Sequence, residues 1–221
     1  MKKILSFIIA AVMLICASTA VLAGYTASDW ALDELDAAYH IGLIPPSLEN
    51  ADLRQNITRA EFAAVAVKTY EALTGIDPDP VAVNPFTDCN DEYVLKAYAI
   101  GAVNGTSATK FTPDALLTRE QAATMLTRVF KKCMFEDWTL ETDAQFSLVY
   151  QKPAQFADDD KISDYAKESV YFMAAYGIIN GVGGNKFAPR ATTDAEKAAG
   201  YAQATREQAL LIAVRMVRKM G

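Results

Sequence analysis

The sequence predicts a mainly α fold: three helix–loop–helix repeats packed as a pseudo-threefold bundle, with a small β-hairpin inserted before the third. Three observations predict it. The tetrapeptide Thr58-Arg59-Ala60-Glu61 returns as Thr118-Arg119-Glu120-Gln121 and as Thr205-Arg206-Glu207-Gln208. Each copy places Thr three residues before Glu or Gln and opens an apolar run at helical spacing. That is a capping box, in which the hydroxyl accepts from the N3 amide and the N3 side chain reaches back to the cap amide. Second, Gly101-Ala102-Val103-Asn104-Gly105 and Gly177-Ile178-Ile179-Asn180-Gly181 are each followed, six residues after the second glycine, by a Phe-x-Pro element (Phe111 to Pro113, Phe187 to Pro189). Third, a 52% hydrophobic content over 221 residues supports one or two domains with a real core and argues against disorder.

Taken in order, copy one runs from about Tyr25 to Leu73. Trp30, Leu32, Leu35, Ala38 and Tyr39 mark its first helix, which ends near Gly42. After the Pro45-Pro46 loop, the Thr58 cap opens a second helix carrying Phe62, Val65, Ala66, Tyr70 and Leu73, stopped by Gly75. Asp77-Pro78-Asp79-Pro80 forms a linker. Copy two starts at Phe86-Thr87-Asp88 and copy three at Phe156-Ala157-Asp158. From Phe86 to Gly101 is 15 residues, against 21 from Phe156 to Gly177, so the first helix of copy two is clipped and lacks the aromatic found at Trp30 and Tyr165. Copy three has the longer loop, 16 residues from Pro189 to Thr205 against five from Pro113 to Thr118. Trp138, Leu140, Phe146, Leu148 and Tyr150 alternate around Thr142-Asp143-Ala144, which reads as a hairpin. No single unit can bury its apolar face alone, whereas three packed together can.

The N-terminus carries Lys2 and Lys3, an apolar run from Ile4 to Cys16 and Val21-Leu22-Ala23, the pattern of a removable secretory signal. No later segment is long and apolar enough to span a bilayer. Losing the two lysines takes the net charge from −6 to −8, which disfavours nucleic-acid binding. An anionic ligand must therefore be held by local arginines rather than by the overall field. Cys89 and Cys133 remain after cleavage; the pair is compatible with a disulfide and equally with two buried thiols, and matches no zinc spacing. If the two helices of copy two form an antiparallel hairpin, these cysteines sit at neighbouring ends within bonding reach. His40 lies in an apolar helical run and reads as structural. No Gly-x-Ser-x-Gly elbow, P-loop or paired carboxylates suggest an enzyme, and no cofactor is implied. An EF-hand beginning at Asp158 fails at Ser163 and Ser169, so capping of the next helix is the better reading of Asp158-Asp159-Asp160.

Arg59, Arg119 and Arg206 each stand at N1, where a cation opposes the helix dipole by about 0.3–1 kcal/mol. Three repetitions of an unfavourable placement suggest a task. An arginine fork beside free helix amides is a ready anion site, and removing it should leave the capping box and the fold nearly intact.

Together, Phe-x-Asp, the aromatic opening the first helix, Gly-x-x-x-Gly, Phe-x-Pro and Thr-Arg-x-Glu/Gln resemble the S-layer homology family over nearly the whole mature chain. The resemblance implies a signal at 1–23, repeats at 24–75, 84–133 and 156–221, and an insert at 134–155. It also implies a non-catalytic module that anchors an exported protein to the cell wall or surface layer. Its partner would be a secondary cell-wall polysaccharide, commonly pyruvylated, or a peptidoglycan-linked glycan. Carried across, it makes Arg59, Arg119 and Arg206 ligand-facing. Gly42, Gly101 and Gly177 would admit the sugar close to the backbone, and Trp30 and Tyr165 would form groove walls. The aromatic missing from copy two favours Arg59 and Arg206 over Arg119. Surface-layer or other protein–protein assembly is the competing role.

Overall fold

The computed structural model describes residues 25–221; the signal expected over 1–23 lies outside the described residues. In chain order the helices are α1 (Leu32–His40), α2 (Arg59–Thr74), α3 (Glu92–Ala99), α4 (Arg119–Met134), α5 (Lys167–Ala175), α6 (Asp194–Ala198) and α7 (Arg206–Met220). Among the described residues no helix is long and apolar enough to cross a membrane. The long helices α2, α4 and α7 all begin at complete capping boxes. A further box, Thr193 with Glu196, starts α6 and was not singled out from the sequence. Gly75 ends α2 in the left-handed conformation at φ 72°.

The three long helices pack against one another at the centre, and the short helices do not fold back on their own partners. Instead α3 packs on α2, α5 on α4, and α1 on α7. Each first helix therefore docks on the long helix of the preceding unit, and the α1–α7 contact closes the ring between the chain's two ends. The three repeats pack together as expected, but the two helices of copy two do not pair with each other as an antiparallel hairpin. This packing also removes the basis for a Cys89–Cys133 bond: Cys89 precedes α3, which packs on α2, whereas Cys133 ends α4, and both thiols are free.

A closed cycle of backbone hydrogen bonds marks the pseudo-threefold axis. Ile57 N donates to Ala204 O at 2.9 Å, Ala204 N to Leu117 O at 3.1 Å, and Leu117 N to Ile57 O at 3.1 Å. All three side chains are buried. One residue later come the capping threonines, so the starts of the long helices are set by this ring.

The neighbouring unit then satisfies the first helical amides. Arg59 N and Ala60 N donate to Ala115 O and Pro113 O, at 2.9 and 3.0 Å. Arg119 N and Glu120 N use Ala202 O and Pro189 O, while Arg206 N and Glu207 N use Gln55 O and Leu53 O. With the N3 amide on the threonine hydroxyl and the cap amide on Glu or Gln, all four orphan donors of each long helix are taken. The free amides expected beside the arginines are not there.

The Phe-x-Asp motif pairs with Phe-x-Pro. Asp88 accepts from the amides of Phe111 (2.9 Å) and Thr112 (3.0 Å), and Asp158 from those of Phe187 and Ala188, both at 2.8 Å. Thr112 and Ala188 hold left-handed φ values of 60° and 57°, a strained state that the carboxylate clamp stabilises. Asp158 thus caps a loop rather than the next helix, while Asp159 accepts from the Tyr171 hydroxyl at 2.7 Å.

No hairpin forms in the insert, which carries only a 3₁₀ turn at Asp143–Gln145. The alternating apolar residues are anchored one by one on the body instead. Trp138 is fully buried and donates to Asp143 Oδ1 at 2.8 Å, and Phe146 stacks on Phe135. Tyr150 lies edge-on to Phe172, with Lys131 bridging Asp143 and Glu168. Side-chain anchoring onto α4 and α5 replaces the cross-strand pairing that a hairpin needs.

Candidate functional site

The swapped packing brings all three units together at each groove. The first groove, a cleft of about 290 Å³, is lined by Arg59 from copy one, Asn104, Gly105, Gln121 and Arg128 from copy two, and Tyr165 from copy three. The second, also about 290 Å³, is lined by the equivalent residues one step round the axis: Arg119, Asn180, Gly181, Gln208, Arg215 and Trp30.

Arg59 and Arg119 are fixed in the same way. Arg59 donates from Nε to Phe111 O and from Nη2 to Asn104 O, both at 3.1 Å, and its guanidinium lies 4.8 Å over the Phe111 ring. Arg119 donates to Phe187 O at 3.0 Å and Asn180 O at 2.6 Å, over Phe187 at 5.1 Å. The two are only 7% and 9% exposed, and neither forms a salt bridge among the described residues. They are structural staples between units as well as cations in a cleft, which corrects the expectation that their removal leaves the fold intact. Burial lowers the pKa of both, and for Arg59 the charge of Arg128 adds to the effect.

Arg206, the third member of the set, is neutralised. It donates from Nη2 to Glu61 Oε1 at 2.6 Å, from Nε to both Glu61 oxygens, and from Nη1 to Asp52 O. The N3 residue of each capping box faces the arginine of the preceding unit round the ring: Gln121 lines the cleft of Arg59, Gln208 that of Arg119, and Glu61 meets Arg206. Only the first copy carries a charged N3, and only there is the arginine paired.

A second basic residue stands nine positions after each motif arginine, at Lys68, Arg128 and Arg215. Lys68 pairs with Glu71 at 2.6 Å, and Arg215 with Glu34 at 2.8 Å. Arg128 has neither a hydrogen bond nor an ion pair to another described residue, and burial pushes its pKa down. Ser169 stands eight residues before Gly177, the place Glu34 holds before Gly42, so a serine stands here in place of the carboxylate that pairs with Arg215. The only carboxylate charge that Arg128 feels is that of Asp143, which does not bond it. The first groove therefore holds two guanidiniums without a carboxylate, the second holds one, and the Arg206 corner none.

Tyr165 (58% exposed) and Trp30 (62%) present open aromatic faces in the first and second grooves. The aromatic missing from copy two is consequently missing from the Arg206 corner, not from the groove of Arg119. The glycines behave differently from expectation. Gly42, Gly101 and Gly177 end short helices at φ 71°, 74° and 63°, and none lines either groove. Gly101 is covered by Trp138: a Cβ there would meet the indole at 2.9 Å.

Two sets of residues escape the motif-based reading. The basic residues at N10 leave a trace in the sequence as the nine-residue spacing. The glutamates at N2 do not: Glu120 accepts from Ser163 N (2.9 Å) and Oγ (2.8 Å), and Glu207 from the same atoms of Ser28, both at 2.9 Å. Each caps the first helix of the following unit. Copy one has Ala60 at N2, and Asp91 caps α3 by accepting from Val94 N instead. Among the described residues, no three His, Cys, Asp or Glu side chains converge as a metal site would require.

The S-layer homology domain model matches two segments of the chain, residues 85–123 and 155–194. These two segments are S-layer homology domains. Both matched segments open one residue before the phenylalanine of Phe-x-Asp and contain the clamp and the Phe-x-Pro turn. S-layer homology domains are non-catalytic modules that attach proteins to the cell wall and surface. The chain is 31% identical over 110 residues to an amylopullulanase of Thermoanaerobacterium thermosulfurigenes, covering 47% of this chain and 6% of that protein. It is 28% identical over 110 residues to the exoglucanase XynX of Acetivibrio thermocellus, 47% of this chain and 10% of the relative. With an endoglucanase of Bacillus sp. (strain KSM-635) it shares 29% over 123 residues, 52% and 13% of the two chains. About half of this chain thus corresponds to a small part of each much longer relative.

Proposed function

We propose that this protein is exported and held non-covalently on an acidic secondary cell-wall polysaccharide, with an acidic sugar substituent seated between Arg59 and Arg128. One observation carries this reading: Arg128 is a desolvated guanidinium with no protein partner, in a cleft whose other cation, Arg59, has no carboxylate. A bound carboxylate, such as that of a pyruvylated sugar, supplies the missing counter-charge through charge-assisted hydrogen bonds worth about 1.5–3 kcal/mol each. Tyr165 offers its ring to the apolar face of the sugar, and Gln121 and Asn104 offer neutral donors and acceptors. Residues 25–75 act as the third repeat of the module, a role supported by their place in the hydrogen-bond ring and in the α1–α7 closure. The relatives, named as polysaccharide-degrading enzymes, support an anchoring role for the segment that they share with this chain.

The test is sedimentation of the mature protein with purified walls before and after chemical removal of the acidic polymer. Binding should require the polymer and should fall at least tenfold in Arg128→Ala. Equal binding to stripped walls would refute the polysaccharide as the anchor.

A further inference from the structure

The insert after α4 helps to build a pocket beside one of the three glycine turns. Of the three glycine turns related by the pseudo-threefold axis, those at Gly42 and Gly177 have open space where a Cβ would stand, whereas Gly101 carries the indole of Trp138. Seated there, the insert forms one wall of an open cleft of about 490 Å³ against the end of α3 and the last turn of α4. Its lining is part apolar, with Val81 and Leu140, and part polar, with Tyr98, Lys132 and Glu141. No hydrogen bond or ion pair to another described residue engages the Tyr98 hydroxyl, the Lys132 ammonium or the Glu141 carboxylate. Other polar groups of the insert are engaged in holding it in place: Trp138 and Lys131 donate to Asp143, Leu148 N and the Tyr150 hydroxyl donate to Glu168, and Gln155 donates to Asp159 and accepts from Asn185.

Asn104 lines both this pocket and the Arg59–Arg128 groove. Its carbonyl is fixed by Arg59 and its Oδ1 accepts from Gly105 N at 2.9 Å, so it forms a rigid sill between the two. We infer that the insert-walled pocket is a second subsite, which takes the sugar residue next to the acidic one in the same polymer chain. This rests on the proposed polysaccharide reading. An uncombined cation and an uncombined anion in one pocket suit a neutral or zwitterionic sugar, whose hydroxyl or amino groups donate to Glu141 and accept from Lys132 and Tyr98. A second carboxylate would meet Glu141 and be disfavoured. At the equivalent turn of copy three, Gly177 has open space where Gly101 carries the indole, so no described residue walls that side beyond Asn180 in the same way.

The experiment measures binding of pyruvylated wall polysaccharide fractionated to one, two and three repeating units. The parent, the doubly substituted Lys132→Ala/Glu141→Ala protein and Arg128→Ala are compared by titration calorimetry, with circular dichroism and melting as folding controls. Both pocket residues are at least partly exposed, so the double variant should melt with the parent. The expected result is a parent that gains at least tenfold in affinity from one unit to longer fragments, a gain that disappears in the double variant, whose one-unit affinity stays within twofold of the parent. Arg128→Ala should lose affinity at every length. A length gain that survives the double substitution, or a parent indifferent to length, would overturn the second subsite while leaving the groove in place. A parent that binds no fragment would overturn the polysaccharide reading and the subsite with it.

Discussion

The Arg59–Arg128 groove and the Arg206 corner have the same backbone frame, the same capping box and the same pair of basic positions, yet their electrostatics are opposite. At the Arg206 corner, Glu61 and Glu71 neutralise both cations within 2.6 Å. In the groove, Gln121 replaces the first carboxylate and Arg128 has no counterpart to the second. The lesson concerns repeat proteins generally: a repeated fold does not repeat a binding site, because each site is assembled from different copies. One Glu-to-Gln difference at N3 decides whether the arginine across the interface is a salt-bridge partner or a free host for an anion. The second groove lies between these extremes, with Arg119 unpaired and Arg215 held by Glu34.

The largest change is expected where one residue serves both fold and groove. Arg59→Ala strands the buried carbonyl of Phe111, frees the part-buried one of Asn104, and should cost about 1.5–3 kcal/mol in chemical denaturation, together with loss of wall binding. A variant as stable as the parent would mean that the staple is dispensable. Arg128→Ala separates the two roles. It should lower wall affinity at least tenfold, about 1.4 kcal/mol, with a melting temperature close to the parent's. Comparable losses from Arg206→Ala, measured on the same wall fraction and corrected for folding, would erase the distinction between the sites.

A smaller and more direct test exchanges the deciding residue. Gln121→Glu keeps a competent capping box and places a carboxylate in the cleft of Arg59, so wall affinity should fall about three- to tenfold without loss of helix stability. Unchanged affinity would show that neutralisation at N3 does not control the groove. The mirror change, Glu61→Gln, removes the partner of Arg206 and should destabilise the fold by about 1 kcal/mol or somewhat more, by thermal or urea unfolding.

The smallest expected effect concerns the thiols. Burial pushes Cys133 up to about 11, and also raises Cys89. The folded-state thiol therefore stays protonated well above neutrality, and the thiolate form grows as the pH rises toward its pKa. Alkylation followed by mass spectrometry should find both cysteines unlinked without reduction and Cys133 slow to react. Its labelling should accelerate as the pH rises toward 11. A linked Cys89–Cys133 peptide would contradict the swapped packing of α3.

What lies within a few residues of chain was legible from the sequence alone. Thr58, Thr118 and Thr205 specify helix starts because a capping box closes over four consecutive residues. Gly75 specifies a stop because it adopts a positive φ without Cβ strain. The recurrence of these signals, with Phe-x-Asp and Phe-x-Pro, was enough for a mainly α fold with threefold repetition. Tertiary structure decided the rest. A helix does not declare which neighbour it will bury its face against, so the docking of α1, α3 and α5 on the preceding unit could not be read from periodicity. That docking places Glu61 on Arg206, leaves Arg128 unpaired and separates the two cysteines. It also directs neighbouring carbonyls onto amides that local sequence leaves open. The alternation of the insert, local and visible, was misleading for the same reason: Trp138 gains more by covering Gly101 than a short isolated hairpin gains by pairing with itself.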